Sequence, residues 1–150
     1  MIQFACCDSP FGPIQIGCED GYVVSILRTG RDTWDTPSPL SGLVESQLQE
    51  YFSGSRKTFD IPIKPKGTPF QLAVWHALCG IPYGETRTYG EIAAALGNPK
   101  AARAVGMACN RNPLWIVIPC HRVVGSNHAL TGYAGGLSMK RALLELEQQP

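Results

Sequence analysis

The chain has 150 residues, about the size of one domain, and 44% of them are hydrophobic, enough to build a core. No run approaches the roughly 20 apolar residues of a membrane helix, and no basic-then-apolar segment opens the chain, so a soluble cytoplasmic protein is expected, nucleoid-associated or nuclear according to its cell. Net charge is only +1, yet residues 1–60 carry 4 basic and 8 acidic side chains (net −4) and residues 61–150 carry 9 and 4 (net +5), which hints at a polyanion facing the second part.

In chain order, Ile2–Cys6 starts as a strand and 8–13 is a turn rich in Ser, Pro and Gly. Ile14–Ile16 alternates as a half-buried strand, Glu19-Asp20-Gly21 is a hairpin turn, and Tyr22–Leu27 is the return strand. Residues 29–42 read as a loop, Leu40–Phe52 as a helix, and Ser53–Gly67 as a connector that divides the chain into units 1–66 and 67–150. Thr68-Pro69-Phe70-Gln71 is a capping box, after which Phe70, Ala73, Val74, Ala77 and Leu78 follow helical spacing until Gly80 and Pro82. Thr88–Glu91 is a second capping box, opening a helix through Leu96, and a third helix is expected from Asn98-Pro99 to about Cys109. Leu114–Ile118 reads as a short extended run and 125–136 as a glycine-rich loop. The last helix turns Met139, Ala142, Leu143 and Leu146 inward.

The six cysteines are expected as reduced thiols, since Cys6 and Cys7 are adjacent and no secretion signal precedes them. There is no C-x-x-C pair and no close His pair, so no metal is expected.

Two elements carry candidate chemistry. Two short helices joined by Gly97-Asn98-Pro99 have the shape of a helix-turn-helix or of an ordinary helical hairpin. The second carries Ala101, Ala102, Ala104, Gly106 and Ala108 with Arg103 as its lone long cation, too few polar groups for major-groove reading. Such a helix suits close approach to another helix or to the minor groove, where Arg103 could enter a base stack or neutralise phosphate. The other element is Pro119-Cys120-His121-Arg122. Neighbouring side chains point apart in regular structure, so Cys120 and His121 can cooperate only across a turn or through a water. A thiol with pKa ~8.5 needs a base and a group to orient that base, and spacing leaves Glu145 and Glu147 equally eligible as the orienting group.

The run Ile118-Pro119-Cys120-His121-Arg122-Val123-Val124 resembles the active-site signature of the O6-alkylguanine-DNA alkyltransferases, or methylated-DNA–protein-cysteine methyltransferases. Thr68–Gln71, Tyr89–Ala93, Gly97–Gly106, Asn112-Pro113 and Tyr133–Leu137 follow in that family's order, so the resemblance is strong over 68–147 and looser over 1–60. It implies an α/β + α fold: a small N-terminal domain with a three-stranded antiparallel sheet and a helix, then a mainly helical domain with the helix-turn-helix. It implies a DNA-repair transferase, cofactor-free and monomeric, that binds double-stranded DNA through the minor groove and flips the damaged nucleotide out. The alkyl group of O6-alkylguanine, with O4-alkylthymine a second candidate, then passes irreversibly to Cys120.

By the same resemblance His121 is the base acting through water, Glu147 orients it, and Asn112 braces the turn. Tyr89 helps expel the nucleotide and bonds the guanine, and Arg103 fills the gap left behind. Asn98, Ala102, Gly106 and Ser126 join the DNA contacts. Val123, Tyr133, Ala134, Gly135 and Lys140 line the pocket, Lys140 near the leaving oxygen. Trp115, bulky for its place, would disfavour large adducts. Cys6 or Cys7 with Cys18 could echo two zinc ligands found in some members, but residues 1–75 hold no histidine to complete the set. The competing readings are a non-catalytic alkyltransferase-like lesion binder, which lacks the cysteine, and a Cys-His hydrolase, which would turn over.

Overall fold

A computed structural model describes residues 1–29 and 35–149, which divide into two compact units, 1–66 and 67–150. In the first unit, β1 (Gln3–Cys7), β2 (Ile14–Glu19) and β3 (Tyr22–Arg28) form an antiparallel meander. The β2–β3 turn places Asp20 at φ 53° and Gly21 at φ 82°, the doubly left-handed pair that a two-residue hairpin requires. Alternation buries Ile14 and Ile16 with their cross-strand partner Ile26 on one face, and a register shift at Gly17 and Cys18 leaves both Val23 and Val24 buried as well. Helix α1 (Pro39–Phe52) covers that face with Val44, Leu48 and Tyr51.

Helix α1 starts one residue before the sequence reading, because Ser38 and Ser41 form a reciprocal cap with Pro39 in the first turn. The loop expected over 29–42 therefore contains the first turn of a helix, and its residues 30–34 lie outside the described residues. The connector is also more structured than expected. Val23 pairs in parallel with Ile63, and the buried Gln47 amide bonds both backbone groups of Asp60, at 2.9 and 3.1 Å.

The second unit is mainly helical. Helices α2 (Pro69–Cys79) and α3 (Tyr89–Ala95) both begin with the expected capping boxes. The buried stripe of α2 is Val74, Trp75 and Leu78, whereas Phe70 and Ala73 are exposed. The helix is rotated from the expected face because Trp75 turns inward, its indole N–H donating to Ala108 O at 2.9 Å.

Helix α4 (Ala102–Asn110) packs on α2 and α3. It begins later than Asn98-Pro99, because residues 98–101 close a tight turn in which Ala101 N–H donates to Asn98 O. Strands β4 (Arg87–Thr88) and β5 (Val123–Val124) pair in parallel. Helix α5 (Leu137–Gln148) buries Met139 and Leu143 as expected, but Ala142 and Leu146 only in part. Its other fully inward residues are Lys140 and Glu147, polar groups that belong to the site.

Candidate active site

The segment from Leu114 to Ile118 is a compact turn, not the extended run its apolar residues suggested. Asn112 closes it: its amide donates to Ile118 O and its carbonyl accepts from Leu114 N–H, both at 2.9 Å. Within the turn Ile116 takes φ 74°, a left-handed conformation that a β-branched residue adopts only when its surroundings impose it. Leu114, Ile116 and Ile118 are buried beneath it, which supplies that constraint.

The turn delivers Pro119 to a single 3₁₀ turn, Cys120–Arg122. Cys120 N–H bonds Ile118 O, and its thiol donates to the Cys109 carbonyl at 3.5 Å, at the end of α4. The thiol is buried, and burial pushes its pKa well above the ordinary 9.0; the nearby Cys109 adds to the rise, while Asn112 and Lys140 oppose it. At neutral pH the resting group is therefore a thiol.

His121 and Arg122 converge on one carboxylate. Glu147 Oε2 lies 2.7 Å from His121 Nε2. Arg122 grips the same carboxylate with two nitrogens, at 2.8 and 3.0 Å, and Gly84 N–H donates to it at 3.2 Å. The third Arg122 nitrogen donates to Ile81 O at 2.7 Å. Because the carboxylate is already neutralised by the guanidinium, its pull on a proton at His121 is weakened. Burial lowers the His121 pKa below its ordinary 6.5, against the opposing effect of Glu147. The imidazole is therefore neutral, with its proton on Nε2 facing Glu147. Nδ1 is then a buried acceptor without a hydrogen-bond partner among the described residues. Glu145, the other acidic candidate, is exposed.

Several of the other expected residues lie against one another. Val123 and Gly135 are buried, and Trp115 and Tyr133 are half-buried with ring centroids 6.0 Å apart. A Cβ on Gly135 would stand 2.6 Å from Met139 Sδ and 2.8 Å from Tyr133 Cε2, so this wall admits only glycine without rearrangement. The Lys140 ammonium is fully buried and donates to the carbonyls of Val123, Thr131 and Gly132. With three protons placed on three carbonyls, Lys140 ties β5 to the glycine-rich loop. The Tyr89 hydroxyl lies 3.5 Å from Lys140 Nζ and donates to Thr131 O at 3.1 Å. A Cβ added to Gly106 on α4 would stand 3.8 Å from the Tyr89 ring.

Asn98, Arg103, Ser126 and Ala134 are exposed, and Ala102 half so. Two participants carried no role in the sequence reading, Arg122 and Cys109. Arg122 offered a signal, being the one charged side chain in the apolar stretch 114–124 apart from its neighbour His121, and a buried arginine requires a carboxylate partner. Among the described residues no cluster of His, Cys, Asp or Glu could hold a metal ion, and no helix is long and apolar enough to cross a membrane.

Residues 69–149 match the family described as 6-O-methylguanine DNA methyltransferase, DNA binding domain. The chain is 50% identical to a methylated-DNA–protein-cysteine methyltransferase of Methanosarcina acetivorans, across 97% of this chain and 98% of that protein. It is 49% identical to the protein of that name from Mycobacterium tuberculosis, across 99% and 93%. The crystal structure of Mycobacterium tuberculosis OGT in complex with DNA superposes with a TM-score of 0.91 at 44% identity, covering 97% of this chain and 92% of that one.

Proposed function

From the premise that the chain belongs to the methylated-DNA–protein-cysteine methyltransferase family, we propose that it repairs O6-alkylguanine in duplex DNA by moving the alkyl group onto Cys120. The observation that carries this reading is the pairing, on one 3₁₀ turn, of a buried thiol with a neutral imidazole held by Glu147.

The proton passes from the Cys120 thiol through a water to His121 Nδ1, the acceptor left open when Nε2 is held by Glu147. The thiolate attacks the alkyl carbon in line; the S–C bond forms as the C–O6 bond breaks. The bonding pair goes to the guanine, which regains its N1 hydrogen, so the net exchange is one thiol hydrogen for one alkyl group. Charge on the departing base is offset by Tyr89 and by the Lys140 ammonium beside it. The alkyl carbon is inaccessible inside a duplex, so the nucleotide must be extruded first. Helix α4 does this from the minor groove, with Arg103 taking the vacated place and Asn98, Ala102, Gly106 and Ser126 bordering the DNA. Trp115 and Tyr133, with Val123, Ala134 and Gly135, shape the pocket that receives the base. One protein molecule acts on one lesion, as a monomer.

The product is a thioether, which no group of the site can cleave, so each molecule acts once. The presence of Cys120 disfavours the non-catalytic lesion binder. Titration against a duplex with one O6-methylguanine should restore guanine one-to-one, leaving excess lesion unrepaired. Continued turnover would refute the single-use acceptor and revive a hydrolase-like mechanism.

A further inference from the structure

Helix α4 buries Val105, Ala108 and Cys109. Its opposite side presents Arg103, Met107 and Asn110, all exposed. Apart from Arg103, Met107 and Asn110, no residue of this helix is larger than valine. Met107 is 68% exposed, the most exposed large hydrophobic side chain among the described residues after the N-terminal methionine. Four residues of helix place it about 6 Å beyond Arg103 along the axis and only about 40° round from it. Whatever surface Arg103 meets, Met107 meets next. Arg111, which caps the helix, is exposed on the flank of the same face.

We infer that Met107 and Arg111 extend the DNA-binding surface of α4 one to two turns past Arg103, Met107 lying on the sugar edges of the minor groove and Arg111 on a phosphate. The inference rests on the reading of α4 as the minor-groove helix and deepens it. The face is continuous with that interface, and the residue 61–150 portion carries the net positive charge that suits a polyanion. A deoxyribose edge is largely apolar and offers no pattern to read. Methionine suits it, being unbranched, polarizable and free of polar groups that would need a partner. The two residues therefore add affinity without sequence preference. They act through different physics, apolar contact for Met107 and counterion release for Arg111.

That difference supplies the test. Affinity for a duplex containing O6-methylguanine is measured by fluorescence anisotropy across a salt series. Met107→Ala should weaken binding about five-fold with no change in the salt slope, and Met107→Leu should restore it. Arg111→Gln should reduce the slope of log K against log salt by about 0.9, the signature of one lost phosphate contact. Thermal unfolding of each variant should match the parent, since both side chains are exposed. Arg103→Ala is run alongside. If it weakens binding while Met107→Ala and Arg111→Gln behave as the parent, the extension is wrong and the minor-groove helix stands. If Arg103→Ala also binds as the parent, the reading of α4 has failed and the inference falls with it. Equal losses for Met107→Leu and Met107→Ala would overturn the apolar contact.

Discussion

Replacing Glu147 by glutamine removes one charge from a buried site while keeping its shape. The carboxylate accepts from His121 at 2.7 Å, from Arg122 at 2.8 and 3.0 Å, and from Gly84 at 3.2 Å. The variant leaves the Arg122 guanidinium buried and uncompensated, with its side chain only 9% exposed. Removing one partner of a buried pair costs about 3–5 kcal/mol. That is a large part of the roughly 5–15 kcal/mol that stabilises a domain, so the variant should fold but unfold at markedly lower urea. An amide can either donate to or accept from His121 Nε2, so the tautomer is no longer fixed. Single-turnover transfer from an O6-methylguanine duplex, measured in the cold where the variant is folded, should slow about 10²-fold or more. Arg122→Met alone should also destabilise, and the double variant should lose less than the two singles together, with a coupling of about 1–3 kcal/mol. A Glu147→Gln protein as stable and as fast as its parent would refute the reasoning, because the carboxylate would then neither pair the arginine nor orient the base.

The pH dependence follows from the two shifted groups. His121 titrates below its ordinary 6.5 in the folded chain, so its contribution to stability is intact above 6.5 and is lost as pH falls toward the folded value. Cys120 is raised above 9.0, so its contribution is intact below 9 and is lost at higher pH. Urea unfolding should therefore show a plateau between these limits, and the transfer rate should hold through neutral pH and decline on the acid side of 6.5. A rate that rises on acidification would contradict His121 as the base. Asn112→Ala, which unpairs two buried backbone groups, should cost about 1–3 kcal/mol in urea unfolding. Gly135→Ala should cost a similar ~1–3 kcal/mol and disfavour bulky adducts more than methyl, by displacing Met139 and Tyr133; equal rates on benzyl and methyl adducts would count against a wall at this position. The S-methyl product should melt below the unmodified protein, since the thiol it replaces is buried against the Cys109 carbonyl.

The punctuation of the chain was plainly written in its residues. The capping boxes at Thr68 and Thr88 rest on side chains three residues apart, a purely local pattern, and both helices begin there. The Asp20-Gly21 turn is legible for the same reason. What eluded local reading depends on distant partners. The rotation of α2 follows from Trp75 reaching Ala108, and the compact turn at 114–118 follows from an asparagine that bonds across it. A run of apolar residues specifies burial, and here burial is satisfied by a left-handed Ile116 as well as by a strand. In the site, spacing alone could not separate Glu145 from Glu147. The resemblance favoured Glu147, and in the fold it is Glu147 that turns inward on α5. Arg122 remained unexplained because its two anchoring groups lie 25 and 41 residues away. Lys140 was placed by resemblance near a leaving oxygen; that its ammonium also holds three backbone carbonyls is something no spacing rule foretells.

The central claim is that Cys120 is the atom-accepting residue and is consumed. After incubation with a duplex containing O6-methylguanine, the protein is digested and its peptides are weighed. The account predicts one methyl group in place of one hydrogen on the peptide containing Cys120, located on that sulfur by fragmentation and absent in Cys120→Ser. A methyl group on Cys109 or another cysteine, or an unmodified protein beside repaired DNA, would contradict it.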